Sequence, residues 1–146
     1  MKSLAALALL LLLGACASVP MTAADADLQA KQFQPPPDGQ GTLYVYREGV
    51  FGAAVLLTAS LGQRMLGQLG ADTYFKVDVS PGQYDARCTG GESSQSTIVT
   101  IAPGETRFVE VAARMGFVAA RCAIFEVNAE KGRAAISHGK RAAEIR

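Results

Sequence analysis

Short runs rich in Val, Ile, Thr, Tyr and Phe recur along the chain from Gly41 to about Val127, and turn residues separate them roughly every 8 to 12 positions. This punctuation is typical of an all-β protein. Residues 41–146 number about 106, which is enough for one small domain with its own hydrophobic core. The spacing of the runs therefore favours short strands connected by turns.

The runs predict about eight strands followed by one helix. The predicted strands are residues 42–47, 55–61, 64–69, 74–79, 83–88, 97–101, 107–112 and 119–127. Asn128 is a favoured N-cap residue and Gly139 a favoured C-terminal stop, which predicts a short helix over residues 129–138. We expect an antiparallel two-layer β-sandwich of about seven to eight strands with a short C-terminal helix.

Glycine and proline set the expected turns. Gly62-Gln63 has glycine at the first central position of a two-residue connection, which suits a type II′ hairpin. Pro81-Gly82 and Pro103-Gly104 each fit a type II turn, because proline fixes φ and glycine accepts positive φ. The sequence does not decide which face of the two strands beside Gly62 is buried, since neither register puts all of their apolar side chains on one side.

The first 15 residues have the layout of a cleaved secretory leader. Lys2 supplies one positive charge, and residues 4–13 are only Leu and Ala. This apolar run is far shorter than the roughly 20 residues that a membrane-spanning helix needs. We therefore predict a signal peptide over residues 1–15 rather than a transmembrane anchor.

The end of this leader is its most specific feature. Leu13-Gly14-Ala15-Cys16 resembles the lipobox of bacterial lipoproteins. The resemblance implies cleavage before Cys16 and a lipid anchor on its sulfur; the alternative is an ordinary leader with a chance cysteine. In such lipoproteins an Asp after the cysteine marks retention in the inner membrane, so Ala17 favours the periplasmic side of the outer membrane. The membrane would then be the first partner of the chain, through the N-terminal lipid.

Residues 16–40 are predicted to be a tether between this anchor and a domain over residues 41–146. Residues 23–30 have the composition of a brief helix, but Pro35-Pro36-Pro37 follows and favours a stiff, extended segment. A Pro-rich ligand for another protein is the weaker interpretation, since the three prolines carry no repeated motif.

Charge patterning argues against nucleic acid as a partner. Removal of Lys2 with the leader leaves 13 basic and 13 acidic side chains. The basic residues are scattered along the chain, whereas a nucleic-acid interface needs clustered Lys and Arg.

Two cysteines remain once Cys16 carries lipid. Cys88 and Cys122 would form an even pair in an oxidising compartment, where disulfides persist. Cys88 shares a strand face with Tyr84 and Ala86 and should point inward. We predict a disulfide between the two, with a pair of buried free thiols as the alternative; a metal site is disfavoured because no histidine or further thiol accompanies them.

Candidate catalytic residues are sparse, so we predict no enzyme, no catalytic residue and no cofactor. His138 is the only histidine, and its position near the end of the predicted helix is favoured by the helix dipole. The sequence has no Gly-x-Ser-x-Gly nucleophile elbow. A hydrolase or transferase of the envelope, with a site assembled from dispersed residues, is the alternative function.

One connection is a candidate for binding. Val50 and Phe51 lie in a long apolar stretch between the first two predicted strands. If exposed, they would form a contact for an envelope protein or for membrane. The favoured interpretation is that they cover an open end of the sandwich, because apolar loop residues more often do so.

The strand and turn residues also carry a family resemblance. The Gly62 and Gly67 pair, together with residues 42–47, 73–75 and 81–84, resembles a family of small bacterial lipoproteins that share a domain of unknown function. The match covers most of residues 41–111, and it is more distantly similar to carboxypeptidase-regulatory and surface-layer sandwich modules. The resemblance implies a sandwich fold. Together with the leader, it predicts a lipid-anchored, non-enzymatic binding or structural module of the envelope.

Overall fold

The structure has its strands between the turn residues that the sequence predicts. The computed structural model describes residues 18–145, so Cys16 and the predicted leader lie outside the described residues. Within this range the elements are α1 (Ala24–Ala30), β1 (Gly41–Arg47), β2 (Leu57–Leu61), β3 (Arg64–Leu69), β4 (Thr73–Val79), β5 (Gly82–Thr89), β6 (Ser94–Ile101), β7 (Thr106–Arg114), β8 (Arg121–Val127), α2 (Ala129–His138) and β9 (Lys140–Arg141).

The strands form two open sheets, which confirms the predicted sandwich. One sheet has five strands in the order β8-β7-β1-β4-β9, and the other has four in the order β3-β2-β5-β6. Apolar side chains from both sheets meet in one buried cluster between them, including Leu43, Val77, Ala59 and Val99. The pairing is mostly antiparallel, as predicted, but β1 pairs with β7, and β4 with β9, in parallel. The five-stranded sheet is therefore mixed.

Strand β1 is buried on both faces, which sets the architecture around it. All seven of its residues are buried. Leu43 and Val45 point into the core between the sheets, while Tyr44 and Tyr46 belong to a second apolar cluster on the outer face. Both helices contribute to this second cluster, through Ala30 of α1 and through Ala135 and Ile136 of α2. A helical layer thus covers one sheet.

The predicted tether is wrong for the described part of residues 16–40. Val19 is 7% exposed and belongs to the core between the sheets. The main chain around it is fixed too, because Ala143 N donates to Pro20 O at 2.8 Å. Helix α1 is docked through the Tyr44 hydroxyl, which donates to Ala30 O at 2.7 Å. The folded unit therefore begins before residue 20 rather than at residue 41.

The turn predictions have mixed outcomes. Gly62 has φ 58° in the β2–β3 hairpin, as a type II′ turn requires. Gly104 has φ 74°, and Glu105 N donates to Ala102 O at 3.1 Å, in agreement with the predicted type II turn. The same prediction is wrong for Gly82, whose φ is not positive and which already belongs to β5. The chain bends at Pro81 and passes there from the five-stranded sheet to the four-stranded sheet.

A β-bulge explains why the facing of β2 and β3 is ambiguous in the sequence. The pairing register between the two strands shifts between Ala59 and Ser60, and Leu66 is the extra residue opposite them. Because a bulge reverses the alternation of side chains, both Leu66 and Leu69 are buried although they lie three positions apart. No single register of the sequence pattern places both of them inside.

The predicted disulfide is confirmed. Cys88 on β5 and Cys122 on β8 are bonded, with their Cα atoms 6.2 Å apart. Both residues are buried, at 0% and 3% exposure, within the core between the sheets. The bond therefore ties the four-stranded sheet covalently to the edge strand of the five-stranded sheet.

Replacement of both cysteines by alanine is expected to lower the free energy of unfolding by about 4 kcal/mol, because the bond closes a loop of 34 positions in the unfolded chain. Urea denaturation with and without reductant measures the effect. Reductant should weaken the natural chain and leave the Cys88→Ala/Cys122→Ala variant unchanged. Equal stability of the oxidised and reduced natural chain would contradict the prediction.

A glycine inside α2 has a packing role. Gly132 is buried, and a Cβ atom built on it would lie 2.4 Å from the Phe108 ring. A glycine normally weakens a helix by about 1 kcal/mol relative to alanine. Here it lets the helix backbone lie directly on the aromatic ring of the outer cluster.

We expect Gly132→Ala to lower the free energy of unfolding by about 1–2 kcal/mol, because overpacking outweighs the gain in helix propensity. Ala134→Gly, at an exposed position of the same helix, is the matched control and should cost only the propensity difference of about 1 kcal/mol. Thermal or urea unfolding reports both. A more stable Gly132→Ala variant would show that the ring does not limit the helix.

Candidate functional site

Exposed apolar side chains concentrate on two loops of the sandwich. In the β7–β8 loop, Phe117 is 96% exposed, Val118 89% and Met115 81%. In the β1–β2 loop, Val50 is 75% exposed and Phe51 61%. We name these five side chains the apolar end. Monomeric proteins seldom expose such large apolar side chains together without a contact to make.

The two loops adjoin at one end of the five-stranded sheet. Strands β1 and β7 run in parallel, so the loops that follow them leave the sheet in the same direction. A shallow groove of about 250 Å³ lies between them, lined by Phe51 and Val55 from one loop and by Met115 and Val118 from the other. Phe51, Met115 and Val118 thus line one surface, and Val50 and Phe117 are exposed next to them in the same two loops.

A buried arginine holds the first loop. Arg47, the last residue of β1, is 1% exposed. Its Nη2 donates to the carbonyl oxygens of Phe51 at 3.0 Å and Gly52 at 2.7 Å, and its Nη1 donates to those of Val55 and Leu69. Burial lowers the pKa of Arg47, and the nearby carboxylate of Asp72 opposes that change. The guanidinium therefore fixes the main chain from which Val50 and Phe51 project.

Asp72 fixes the other side of this loop. Its Oδ1 accepts from Gly49 N at 2.6 Å, and its backbone oxygen accepts from Lys140 N at 2.9 Å. Asp72 itself has φ 50°, a conformation that non-glycine residues adopt rarely but that Asp tolerates better than most. The β1–β2 loop is in this way connected to the β3–β4 turn and to β9.

A single carboxylate organises the second loop. Glu92, from the β5–β6 hairpin, accepts hydrogen bonds from three successive backbone groups, the N–H of Phe117 at 2.8 Å, of Val118, and of Ala119 at 2.6 Å. Its carboxylate also pairs with Arg121 Nε at 3.1 Å. Because the main chain turns around this carboxylate, the Phe117 and Val118 side chains point into solvent.

The hydrogen bonds from the loop lower the pKa of Glu92 to about 2. The backbone N–H groups of Ala119, Phe117 and Val118 are the main cause, since each stabilises only the ionised carboxylate. The carboxylate is therefore charged throughout the physiological range, and the loop stays bound to it.

The site-residue predictions have several outcomes. Val50 and Phe51 are exposed, so the favoured interpretation that they cover an open end of the sandwich is wrong. Their role as a contact loop stays a prediction. Cys88 and Cys122 form the disulfide, and Cys122 N donates to Ser93 Oγ at 3.0 Å, beside Glu92. The bond thus fixes the hairpin that carries Glu92 against β8.

The sequence does not reveal the second loop. It predicts a strand over residues 119–127, whereas β8 begins at Arg121, and it assigns residues 115–118 no role. The apolar run Phe117-Val118-Ala119-Ala120 after Gly116 is the available signal. Nothing in the spacing of Glu92 points to a loop 25 positions away.

His138 borders two shallow grooves, each of about 400 Å³. One also contains Asp72 and Lys140, and the other contains Asp27 and Lys31. Both carboxylates have structural partners: Asp72 accepts from Gly49 N, and Asp27 accepts from the Tyr74 hydroxyl at 2.7 Å. Within residues 18–145 no hydrogen bond joins the His138 ring to a carboxylate.

Residues 18–145 contain neither a cluster of metal-binding side chains nor a membrane-spanning helix. Between residues 18 and 145, no three His, Cys, Asp or Glu side chains are grouped so that they would hold a metal ion. Neither helix of that range has the length and apolar character needed to cross a bilayer.

Comparison with known proteins finds a relative without an assigned role. A protein of Haemophilus influenzae described as uncharacterized is 28% identical to this chain over 127 residues, which cover 87% of this chain and 76% of that protein. No family model matches the chain, and no solved structure matches it.

Substitution Glu92→Ala is expected to release the β7–β8 loop, because three backbone N–H groups lose their acceptor. Amide hydrogen exchange at Phe117, Val118 and Ala119 should accelerate, while exchange in the core strands stays slow. Glu126→Ala removes a carboxylate that pairs across the sheet with Arg107, away from this loop, and serves as the control. Unchanged protection at the three amides would contradict the assigned role of Glu92.

The ionisation of Glu92 predicts a pH dependence. Its folded pKa of about 2 lies below the ordinary value of 4.5. The carboxylate therefore stabilises the fold fully above pH 4.5, and this contribution is lost as the pH falls towards about 2. An NMR titration of the Glu92 carboxyl carbon should give a midpoint of about 2. A midpoint at the ordinary value would show that the loop does not hold the charged form.

Proposed function

We propose that this protein is a lipid-anchored module of the bacterial envelope, held on the periplasmic side of the outer membrane by acyl chains on Cys16. In this proposal it acts by binding and positioning, without catalysis. The observation that carries the binding role is the apolar end, whose loops are held in place by Arg47 and Glu92 although their side chains are exposed.

The main chain of both loops of the apolar end is fixed although their side chains are exposed. Exposed loops are usually polar and mobile, and exposed apolar side chains usually occur singly. Here a buried cation and a carboxylate each fix several main-chain groups of an apolar loop. A contact surface that is ordered before binding loses less conformational entropy when its partner arrives. The arrangement supports a binding role for this end of the sandwich.

The disulfide supports the proposed compartment. Cys88 and Cys122 are bonded and buried. Such bonds persist in oxidising compartments, the periplasm among them, and are rare in the cytosol. The disulfide thus supports the same compartment as the predicted secretory leader over residues 1–15. It does so without reference to the residues around Cys16.

The alternative function, an envelope hydrolase or transferase, would have to use the grooves beside His138. Asp72 and Asp27 are the carboxylates there, and each is already held by hydrogen bonds to the main chain or to a tyrosine. A carboxylate that fixes a loop or a helix is poorly placed to exchange protons with a substrate. The apolar end therefore gives the better-supported function.

The anchor is tested by expressing the full chain in a Gram-negative bacterium. We expect a mature protein that begins at Cys16, carries the mass of its acyl chains and sediments with outer membranes. Cys16→Ser should abolish both the added mass and the sedimentation with outer membranes, while it leaves the Cys88–Cys122 disulfide intact. Ala17→Asp, by the lipoprotein resemblance, should move the lipidated protein to the inner membrane.

Two outcomes would contradict the proposal. A mature chain that begins at another residue, or one that lacks acyl mass, removes the anchor. If the protein turns over an envelope substrate, and this activity is lost in His138→Ala but kept in Phe117→Ser, the alternative enzymatic function is favoured. Capture of envelope components from solubilised membranes that is lost on Phe117→Ser, and kept on the matched exposed substitution Ile98→Ser of β6, would support binding through the apolar end.

A further inference from the structure

We infer that the apolar end is a membrane-docking surface. Its side chains, Val50, Phe51, Met115, Phe117 and Val118, enter the boundary between headgroups and acyl chains in the periplasm-facing phospholipid leaflet, beside the lipid anchor. This inference rests on the proposed lipidation of Cys16. It adds an orientation: the five-stranded sheet stands with the ends of β1 and β7 towards the membrane, and the turns at the opposite end of the sandwich face away from it.

The path of the N-terminal segment is the first argument. Ser18 and Val19 line a groove together with Asp72 and Thr73. Thr73 pairs with Arg47, and Asp72 accepts from Gly49 N at 2.6 Å, so this groove lies next to the β1–β2 loop. The chain therefore joins the domain at the same end of the five-stranded sheet as the apolar end.

The shortness of the link is the second argument. Cys16 precedes Ser18 by two residues, and a fully extended chain covers at most about 3.6 Å per residue, or about 7 Å in all. Val19 cannot move away, because its side chain is in the core and the neighbouring Pro20 O accepts from Ala143 N. An acyl anchor on Cys16 thus brings this end of the domain to the bilayer surface.

The chemistry of the surface is the third argument, because it suits the lipid that the short link brings near. The five side chains of the apolar end are uncharged, and aromatic and aliphatic groups of this kind enter the boundary between headgroups and acyl chains. Exposed charges of both signs flank them, on Glu48, Arg114 and Lys140, where zwitterionic headgroups supply both partners. A protein partner would have to fit in the narrow space that the short link leaves above the membrane.

The chain contains no tryptophan, so one substitution supplies a single fluorescent probe. Phe117→Trp puts that probe on the apolar end at a residue that is 96% exposed, so the fold does not depend on it. Ile98→Trp is the matched control, since Ile98 is also apolar and 60% exposed but lies in the middle of β6. Both variants are made as full-length lipidated proteins and inserted into vesicles of phosphatidylethanolamine and phosphatidylglycerol.

We expect the indole emission of the Phe117→Trp variant to shift to shorter wavelength in vesicles and to be quenched by brominated acyl chains, with protection from iodide in the water. The emission of the Ile98→Trp variant should keep its long wavelength and remain open to iodide. Phe51→Trp gives a second probe on the other loop and should behave like Phe117→Trp. Both variants are lipidated and bound to vesicles in this comparison. If iodide quenches them equally, the docking inference is wrong, while the proposal of a lipid anchor is unaffected.

Other outcomes separate the two proposals. If mass measurement finds no acyl group on Cys16, the anchor and the docking orientation both fail. If the vesicle-bound protein shows water-exposed probes that become protected only when envelope extract is added, the apolar end binds a protein, and the docking inference is wrong. The Phe117→Trp probe can also be placed in the unlipidated Cys16→Ser chain. If brominated lipid still quenches it there at high vesicle concentration, this supports docking independently of the anchor.

Discussion

The burial of the Arg47 guanidinium is the interaction on which this end of the molecule depends. A cation at 1% exposure must be surrounded by oxygen atoms, because an unsatisfied buried charge would cost several kcal/mol. The oxygens come from Phe51, Gly52 and Val55 in one loop and from Leu69 at the end of β3. The β1–β2 connection is therefore long for a reason: it must return over the end of β1 to solvate the arginine with its own carbonyl groups. The exposure of Phe51 follows from this requirement on its main chain.

The second loop is ordered by a charge of the opposite sign. In the first loop a buried cation gathers carbonyl oxygens; in the second, the Glu92 carboxylate gathers N–H groups of residues 117–119. The Cys88–Cys122 bond supports this arrangement, since it joins the strands that hold the Glu92 hairpin and the start of β8. Two charged side chains of opposite sign thus order neighbouring loops, and in both cases the apolar side chains are turned outwards. Solvation of fixed charges, rather than apolar packing, determines the shape of the apolar end.

Much of the fold could be predicted from the sequence, because local signals and tertiary packing agree in most elements. Helix α2 has the predicted bounds, and Asn128 caps it by accepting from Lys131 N at 2.9 Å. The sequence signal is insufficient where a long-range contact decides the conformation. The prolines at positions 35–37 favour a tether over residues 16–40, yet Val19 is held in the core and α1 by Tyr44. The Leu66 bulge and the extended backbone at Gly82 likewise depend on the neighbouring sheet. The sequence points to Val50 and Phe51 in the β1–β2 loop. It does not reveal the β7–β8 loop, because that loop depends on Glu92, which lies 25 positions before Phe117.

The docked N-terminal segment changes what a lipid anchor would do for this protein. A tether of about 25 residues that held the domain off the bilayer would leave it free to turn, and no one face would be kept at the membrane. A link of two residues next to a segment fixed by Val19 and by the Ala143–Pro20 hydrogen bond removes most of that freedom. Under the proposed lipidation, the position of the anchor on the fold becomes an orientation of the fold on the membrane. The apolar end then needs little affinity of its own, because the anchor supplies a high effective concentration at the surface. This accounts for an apolar surface of only five side chains: as an independent membrane anchor it would be weak, and as the second contact of a doubly attached protein it is sufficient.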